Sequence, residues 1–314
     1  MAELILHHFA ASPFSEKVRL MLGYKQLAWK SVAVPNILPK PDVVALTGGY
    51  RRTPFLQIGA DMYCDTALIA DVLEQLQPTP TLYPDSCRAL ARILGQWADG
   101  SLFWSAVTYN RGPREAGPSS GAAINEMPRA VFDDRKAMGF DVEWLQPADA
   151  APAYLAYLAR LAELLQDRPY LMGTTPCLAD FCAYHPLWLV HVRAGGTVDV
   201  LRHEPALVEW VGRMQAIGHG ASEALDAAGA IAIAAAAEPL PPGHGPLRDT
   251  AWHDSHGIAS ASRVTISAES FGQEPTAGEL VAATRTHYTL RRVDPRAGGV
   301  HVHFPRIGYI MKTT

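Results

Sequence analysis

The 314-residue sequence has few cysteines, and none of the four stands in a CxxC pair. Their scattered positions favour free thiols in a reducing compartment over a disulfide framework, so we expect a cytoplasmic protein. The first residues lack both a basic segment and a long apolar run, and no signal peptide is expected. The cysteines are Cys64, Cys87, Cys177 and Cys182.

Long apolar segments and a strong charge of one sign are also lacking. The alanine-rich residues 221–237 include Glu223 and Asp226 and are too weakly apolar to span a membrane. A net charge of −4 at pH 7 gives no reason to expect a nucleic acid as the main partner. With 48% hydrophobic and 18% charged residues, the composition is typical of a globular protein, and the length allows two or three domains.

The most informative segment is residues 12–19, SPFSEKVR, which follow the apolar residues 4–6. This order predicts a strand, a sharp turn and a helix that begins near Ser12 and Pro13. The start of a helix offers unpaired N–H groups and a partial positive charge, and both stabilise an anion such as a thiolate. The alternative is that Ser12 is an ordinary N-cap.

Two further motifs follow in order. In residues 51–58, RRTPFLQI, Pro54 stands at the start of an apolar run, where a proline suits the first residue or the edge of a strand. In residues 64–69, CDTALI, Asp65 and Thr66 start a predicted helix after a hairpin.

Together, the three motifs closely resemble the N-terminal domain of soluble, bacterial-type glutathione transferases (GSTs) with a serine at the active site. The resemblance covers residues 1 to about 236. It implies a thioredoxin-like α/β domain over residues 1–83 and an all-helical domain of the GST C-terminal type over residues 84–237. It also implies a cytosolic homodimer with glutathione as co-substrate.

The resemblance assigns roles residue by residue. Ser12, with Ser15 as the alternative, would donate a hydrogen bond to the glutathione thiolate. Because a hydroxyl cannot form a mixed disulfide, this favours transfer chemistry over thiol–disulfide exchange. A cis bond before Pro54 would expose the backbone of Thr53 to the peptide. The full set of glutathione contacts implied is Thr53, Pro54, Asp65, Thr66 and Lys40.

Each of these residues also has a purely structural interpretation. Ser15 could provide a hydroxyl that caps the helix or is simply buried, and Pro54 could be a strand-edge proline. Asp65 could be a simple N-cap, and Lys40 could be a solvated surface lysine. A pocket for the second substrate, a small electrophile that the sequence does not identify, is expected between the two domains. Its candidate residues are His8, Phe9, Phe14, Trp104 and Tyr109, although aromatic residues at such spacing more often belong to the core.

Residues 238–314 lie outside the resemblance. A Pro/Gly-rich linker is followed by alternating apolar residues, which predict a small all-β module, with a compact barrel as one arrangement. We expect the module to pack on the transferase body; lining a pocket and covering the active-site cleft are alternatives. We expect no metal, although four histidines could be ligands in a weaker alternative: His253, His256, His301 and His303.

The sequence therefore predicts a glutathione transferase that acts on a small electrophile, with detoxification as the expected role. Two alternatives stay open. One is a non-catalytic protein of the same fold that binds glutathione or a partner protein. The other is a glutathione-dependent redox protein that uses Cys64.

Overall fold

A computed structural model of the protein describes residues 3–111, 128–140, 146–192, 201 and 203–314. The N-terminal elements follow the order β-α-β-α-β-β-α. The helical part of the chain comes next, and strands dominate the C-terminal part. The first seven elements are β1 (Ile5–His8), α1 (Pro13–Tyr24), β2 (Trp29–Ala33), α2 (Pro41–Thr47), β3 (Phe55–Ile58), β4 (Asp61–Cys64) and α3 (Thr66–Leu76).

These seven elements form the predicted thioredoxin-like layer. Strand β1 pairs in parallel with β2 and antiparallel with β3, and β3 pairs antiparallel with β4. The four strands are nearly free of exposed residues, as expected for a sheet covered on both faces. Apolar residues of α1 and α3 share a core with Leu56 and Tyr63, whereas those of α2 share a second core with Phe55 and Met62.

The helical domain packs around α8, which is buried along its whole length. Asp180 near the start of this helix accepts hydrogen bonds from the N–H groups of Leu171 and Cys177 and from the indole of Trp210, so its role is structural. The helices are α4 (Arg88–Trp97), α5 (Phe103–Arg111), α6 (Arg129–Arg135), α7 (Pro147–Leu165), α8 (Leu178–Leu187) and α9 (Pro205–Ala216). Short π-helical turns follow α4, α6 and α8 at Ala98–Leu102, Lys136–Phe140 and Trp188–Val192.

After α9 the chain returns to the first domain. Strand β5 (Ser222–Ala224) pairs in parallel with β2, and α10 (Ala227–Ala235) contributes Ile231 and Ala234 to the core shared with α2. Residues 222–235 therefore pack on the sheet of the first domain, although the sequence placed them in the second. The domain limits themselves remain a prediction.

The C-terminal module continues the same sheet. Strand β9 lies in parallel beside β4, with Asp61 opposite His301 and Tyr63 opposite His303. The expected packing on the transferase body is thus confirmed, but the barrel arrangement is wrong, because the described strands form one open sheet in the order β10-β6-β7-β8-β9-β4-β3-β1-β2-β5. The added strands are β6 (Arg263–Ala268), β7 (Thr276–Ala283), β8 (His287–Asp294), β9 (Gly298–Pro305) and β10 (Tyr309–Thr313).

Candidate functional site

Strand register brings three loops together at one end of the strands. His7 on β1 lies opposite Phe55 on β3, and Phe55 lies opposite Cys64 on β4. The loop after β1, the loop before β3 and the turn after β4 therefore meet at the same end. These loops carry the predicted residues Ser12, Thr53, Pro54, Asp65 and Thr66.

Ser12 is the N-cap of α1, and its Oγ accepts a hydrogen bond of 3.2 Å from the N–H of Ser15. Accepting this bond leaves the hydroxyl proton of Ser12 available to donate. The N-cap interpretation and the thiolate-donor interpretation are therefore compatible. Ser15 is fully buried, and its hydroxyl has no hydrogen-bond partner among the residues described. The assignment of the donor to Ser12, with Ser15 as the alternative, stays a prediction.

The turn after β4 has an unusual backbone. Asp65 adopts a positive φ of 76° and caps α3, with its carboxylate accepting from the N–H of Ala67 at 3.0 Å. Its own N–H donates to the hydroxyl of Tyr50 at 3.1 Å. A non-glycine residue at positive φ is uncommon, and such residues cluster at functional sites. Thr66 lies beside Asp65 at the first position of the helix, and the bond between Thr53 and Pro54 is cis, as predicted.

The C-terminal module reaches this turn. The hydroxyl of Tyr309, at the start of β10, donates to the Asp65 carboxylate at 3.0 Å. The guanidinium of Arg52 lies 3.9 Å from the same carboxylate and 5.9 Å from the Tyr309 ring. Asp65 therefore already has one neutral donor and one cation beside it, and both bear on any ligand that binds there.

The loop between β6 and β7, residues 269–275, crosses from the module to the helical domain. Its Phe271 carbonyl accepts from Arg52, and its Glu274 forms an ion pair with Arg51. The N–H of Gly272 donates to the carbonyl of Met138 at 2.7 Å. Gly272 has a φ of +69°, and a Cβ there would come within 3.0 Å of the Met138 side chain. The module thus covers part of the boundary between the two transferase domains. Covering of the active-site cleft, one of the alternatives that the sequence offered, stays a prediction.

Lys40 lies inside this boundary. Its side chain is buried and donates to the carbonyl of Arg51 at 3.2 Å. Burial, reinforced by the charge of Arg135, lowers the pKa of the lysine to about 8. The predicted contact between Lys40 and a glycyl carboxylate stays a prediction.

Of the residues predicted for the second-substrate pocket, two join one aromatic cluster. Phe14 packs on Phe103 with ring centroids 4.7 Å apart, and Phe103 packs on Trp104 at 5.1 Å. The ring of Trp104 meets Phe271 of the module at 5.4 Å. The cluster therefore lies where α1, α5 and the module meet.

The other three predicted pocket residues are not part of this cluster. His8 is buried under the sheet edge, where its ring nitrogens lie 2.9 Å from the Ser31 hydroxyl and 3.1 Å from Arg19. Phe9 is half-buried in the loop after β1. Tyr109 packs on Tyr154 inside the helical domain, with centroids 4.8 Å apart. The pocket assignment as a whole stays a prediction.

A buried charged cluster that the sequence did not predict lies behind Phe14. Lys17 on α1 donates to Asp99 at 2.6 Å, and Asp99 also accepts from His185 on α8 at 2.8 Å. Burial lowers the pKa of His185 to about 4, so the ring is neutral at pH 7. Although burial opposes its charged form, the adjacent Asp99 raises the pKa of Lys17 above its ordinary value. The cluster fixes the first turn of α1 against the helical domain.

Cys64 gives no support to the redox alternative. Its side chain is fully buried, and burial raises the pKa of the thiol well above its usual value. A redox cysteine needs an accessible thiolate, and a buried neutral thiol offers none.

The four histidines considered as metal ligands do not come together. His253 and His256 are exposed in the loop before β6, whereas His301 and His303 are buried on β9. The carboxylate of Asp61 lies beside the two buried rings, a partner that the sequence analysis did not name. Asp61 lies 240 residues before His301, so only the pairing of β4 with β9 reveals their proximity.

Comparison with known proteins supports this description. A family model for the N-terminal domain of glutathione S-transferase matches residues 6–81, and one for the C-terminal domain matches residues 146–217. The crystal structure of a GST-like protein from Pseudomonas syringae is 37% identical, with a TM-score of 0.81. The match covers 100% of both chains, so it includes the C-terminal module.

Other relatives match the transferase body. FtsZ-localized protein A from Caulobacter vibrioides is 28% identical over 191 residues, which are 58% of this chain and 74% of that protein. A glutathione S-transferase structure from Rhodospirillum rubrum F11 is 21% identical and covers 68% of this chain and 87% of its own, with a TM-score of 0.50. At that identity, the likeness shows the fold alone.

The fold defines a protein class, in which a thioredoxin-like layer is joined to an all-helical domain. The candidate site lies at the strand ends of that layer, beside the helical domain. Together with the full-length match, the family models show that the chain belongs to the glutathione S-transferase family. Within the described residues, no helix has both the length and the apolarity to cross a bilayer.

Proposed function

We propose that the protein binds glutathione at the end of the strands, where the loops after β1, before β3 and after β4 meet. There it stabilises the thiolate for attack on a small electrophile. The observation that carries this proposal is the register of β1, β3 and β4, which brings Ser12, Thr53 and Asp65 to one edge. Family membership supports it independently.

The roles follow from the chemistry of each group. The Ser12 hydroxyl donates to the glutathione sulfur, and the N-terminus of the 12-residue helix α1 adds a partial positive charge beside the thiolate. The backbone of Thr53 pairs with the extended peptide. Asp65 accepts from the ammonium of the γ-glutamyl group, and Thr66 binds the adjacent carboxylate through its hydroxyl and N–H. Stabilising the thiolate raises the fraction of nucleophile at neutral pH.

A serine pair provides the test. We expect Ser12→Ala to lower kcat/KM with an activated aryl chloride by about 100-fold, because the donor to the developing thiolate is lost. The ultraviolet absorbance of the bound thiolate should disappear at pH 7, while the affinity for glutathione changes little. Ser15→Ala is the matched control, since its hydroxyl is buried one turn further into the helix. Loss of the thiolate signal in Ser15→Ala instead would assign the donor to Ser15.

A second candidate function is a non-catalytic protein of this family that binds glutathione or a partner protein. The observation that favours it is the contact of Tyr309 and Arg52 with Asp65, which leaves the proposed γ-glutamyl position already supplied with partners. A relative named FtsZ-localized protein A is consistent with a binding role in this family. Tight glutathione binding to the unmodified protein without any thiolate absorbance would establish this candidate and exclude the first.

We also propose a homodimer. Helix α4 leaves Leu90 55% exposed and Ile93 62% exposed, although a helix of a monomer normally turns such residues inward. A second copy would cover them. Equilibrium sedimentation that gives the monomer mass at all protein concentrations would exclude the dimer.

A cytoplasmic location is proposed on the state of the thiols. All four cysteines are free, and Cys64, Cys177 and Cys182 are buried. Free thiols persist in reducing compartments. Recovery of the protein in a periplasmic or extracellular fraction would contradict this proposal. A role in detoxification follows if the electrophile is foreign to the cell, and a screen of activated halides and epoxides tests it.

A further inference from the structure

Three potential metal ligands share one face of the sheet at the junction between the transferase body and the C-terminal module. Asp61 on β4 lies opposite His301 on β9, and His303 follows two residues later. Side chains two residues apart in a strand point to the same face, so both rings lie beside the Asp61 carboxylate. All three side chains are buried.

The distances suit a single ion. One ligand atom from each residue lies within 4.8 Å of the other two. Nε2 of His303 is 2.9 Å from Oδ1 of Asp61, and Nδ1 of His301 is 3.6 Å from the same oxygen. Ligands of a tetrahedral zinc ion stand about 3.4 Å apart when metal–ligand bonds are about 2.1 Å long. The two Asp61–histidine distances therefore lie within about 0.5 Å of the tetrahedral value, and all three ligand atoms lie within 4.8 Å of one another.

One nitrogen in the cluster lacks a partner. Nδ1 of His301 is buried and has no hydrogen-bond partner among the residues described. A buried polar atom without a partner is costly and needs an explanation. A metal ion between this nitrogen and the Asp61 carboxylate would satisfy it.

The surroundings of the three residues match a metal site. The N–H of Leu240 donates to Oδ2 of Asp61 at 3.0 Å, which leaves Oδ1 toward the histidines. The Thr289 hydroxyl lies 2.9 Å from Nδ1 of His303. Because a hydroxyl can both donate and accept, Thr289 can accept from Nδ1–H while Nε2 carries a metal.

A small open cavity, with space for about one water molecule, adjoins the cluster. The interdomain linker forms one wall, with Pro241, Pro242 and Gly243, and His287 and Thr289 of the module form another. The cavity leaves room for a water molecule as the fourth ligand. Three protein ligands with one open position are typical of catalytic zinc sites, whereas structural sites are closed by four protein ligands.

We propose that Asp61, His301 and His303 bind a divalent first-row transition metal ion, with zinc as the preferred ion, and that this ion links β4 to the C-terminal module. Two imidazoles and one carboxylate suit zinc, whereas calcium and magnesium prefer ligand sets made of oxygen alone. This revises the expectation of no metal and replaces the four-histidine set with a different one.

The proposed metal site is independent of the proposed transferase function. Asp61 and Asp65 lie at opposite ends of β4, roughly 13 Å apart along the strand at about 3.3 Å per residue. Ser12→Ala should therefore leave metal binding unchanged, and removal of a histidine should leave thiolate formation unchanged. Failure of one proposal is distinguishable from failure of the other.

The test uses the full chain after treatment with a chelator. We expect calorimetric titration with zinc to give one bound ion per chain, and zinc to raise the melting temperature. Cobalt(II) should give the visible absorption of a four-coordinate ion with nitrogen and oxygen ligands. His301→Ala should weaken zinc binding by at least about 100-fold, because a ligand is lost. Thr289→Val, which removes only the partner of His303, should weaken it by about 10-fold.

The exposed histidines offer a matched control. The double variant His253→Ala/His256→Ala removes two imidazoles of the same module, and we expect its zinc affinity to equal that of the unmodified protein. His303→Gln is the second ligand variant, in case His301→Ala folds poorly. Three outcomes would overturn the proposal: no stoichiometric binding, zinc binding in both ligand variants that is as tight as in the unmodified protein, or a cobalt spectrum with the intense bands of thiolate ligands.

Discussion

Strand β4 begins at Asp61 and is followed by Asp65. The side chains of these two aspartates lie in very different environments. The Asp61 side chain is 2% exposed, and its partners are the Leu240 N–H and the His303 ring. The Asp65 side chain is 24% exposed and lies at a positive φ, with a cap contact to Ala67 and a hydroxyl contact from Tyr309.

The two environments suit the two aspartates to different roles. Burial opposes the charge of Asp61, yet the neighbouring rings of His301 and His303 and the N–H of Leu240 lower the pKa of its carboxyl to about 2. Asp61 therefore remains charged although its side chain is buried. Asp65 keeps part of its carboxylate open to solvent in a backbone conformation that only its surroundings maintain. Such a residue is suited to bind a ligand, whereas Asp61 joins parts of the chain that are distant in sequence.

Truncation of each aspartate should give the largest contrast in stability. We expect Asp61→Ala to lower the free energy of unfolding by about 3 kcal/mol, because the Leu240 N–H and the His303 ring lose a buried charged acceptor. Asp65→Ala should cost only about 1 kcal/mol, the usual value of a lost N-cap. Urea unfolding at pH 7 measures both, with chelator present so that no metal contributes. Equal losses in the two variants would break the comparison.

The pH dependence of stability tests a third buried group of the sheet, His7 on β1. Burial lowers the pKa of His7 to about 4; the ring is paired with Gln57 at 2.8 Å and stacked on Phe55 at 4.2 Å. Between pH 6.5 and 4, the unfolded chain binds a proton that the folded chain excludes, so stability falls as the pH decreases. At pH 5 the part due to His7 is about 2 kcal/mol relative to pH 7.

The variant His7→Gln isolates this contribution. We expect its unfolding free energy to fall less between pH 7 and pH 5 than that of the unmodified protein, by about 2 kcal/mol. His253→Gln, which replaces an exposed histidine, should show the full loss. A His7 variant with an unchanged pH dependence would show that His7 is protonated in the folded protein.

The smallest change in stability with a functional effect should come from Asp65→Gly. Glycine adopts the positive φ of this position without strain and is a tolerable N-cap, so we expect the unfolding free energy to change by less than about 0.5 kcal/mol. The affinity for glutathione should fall by about 10-fold or more, because the ammonium loses its charged partner. Calorimetry on both proteins measures it. Unchanged affinity would remove Asp65 from the proposed site.

Local sequence patterns predicted much of the first domain. The start of α1 at Pro13, the start of α3 at Thr66 and the position of β3 after Pro54 all depend on short-range rules for caps, prolines and apolar spacing. The short hairpin between β3 and β4 sets the register of those two strands, whereas β1 pairs with β3 across the intervening α1, β2 and α2. The family resemblance added the order in which these strands pair.

The remaining features depend on contacts between distant parts of the chain. Nothing in the local pattern of residues 300–309 indicates that β9 pairs with β4, because an alternating strand can extend any free edge. The contacts of Tyr309 with Asp65, of Phe271 with Arg52 and of Asp61 with the histidines all follow from that pairing. The chemistry of each residue was visible in the sequence, but its partner was not.

The parallel pairing of β4 with β9 also has a consequence for synthesis of the chain on the ribosome. Strand β4 is complete at Cys64, but its neighbour β9, Gly298–Pro305, follows more than 230 residues later. Until β9 emerges, the edge of β4 presents free N–H and C=O groups, which are open to pairing with other chains. A nascent or truncated chain that stops after α10 therefore carries an unprotected edge that β9 covers in the folded protein.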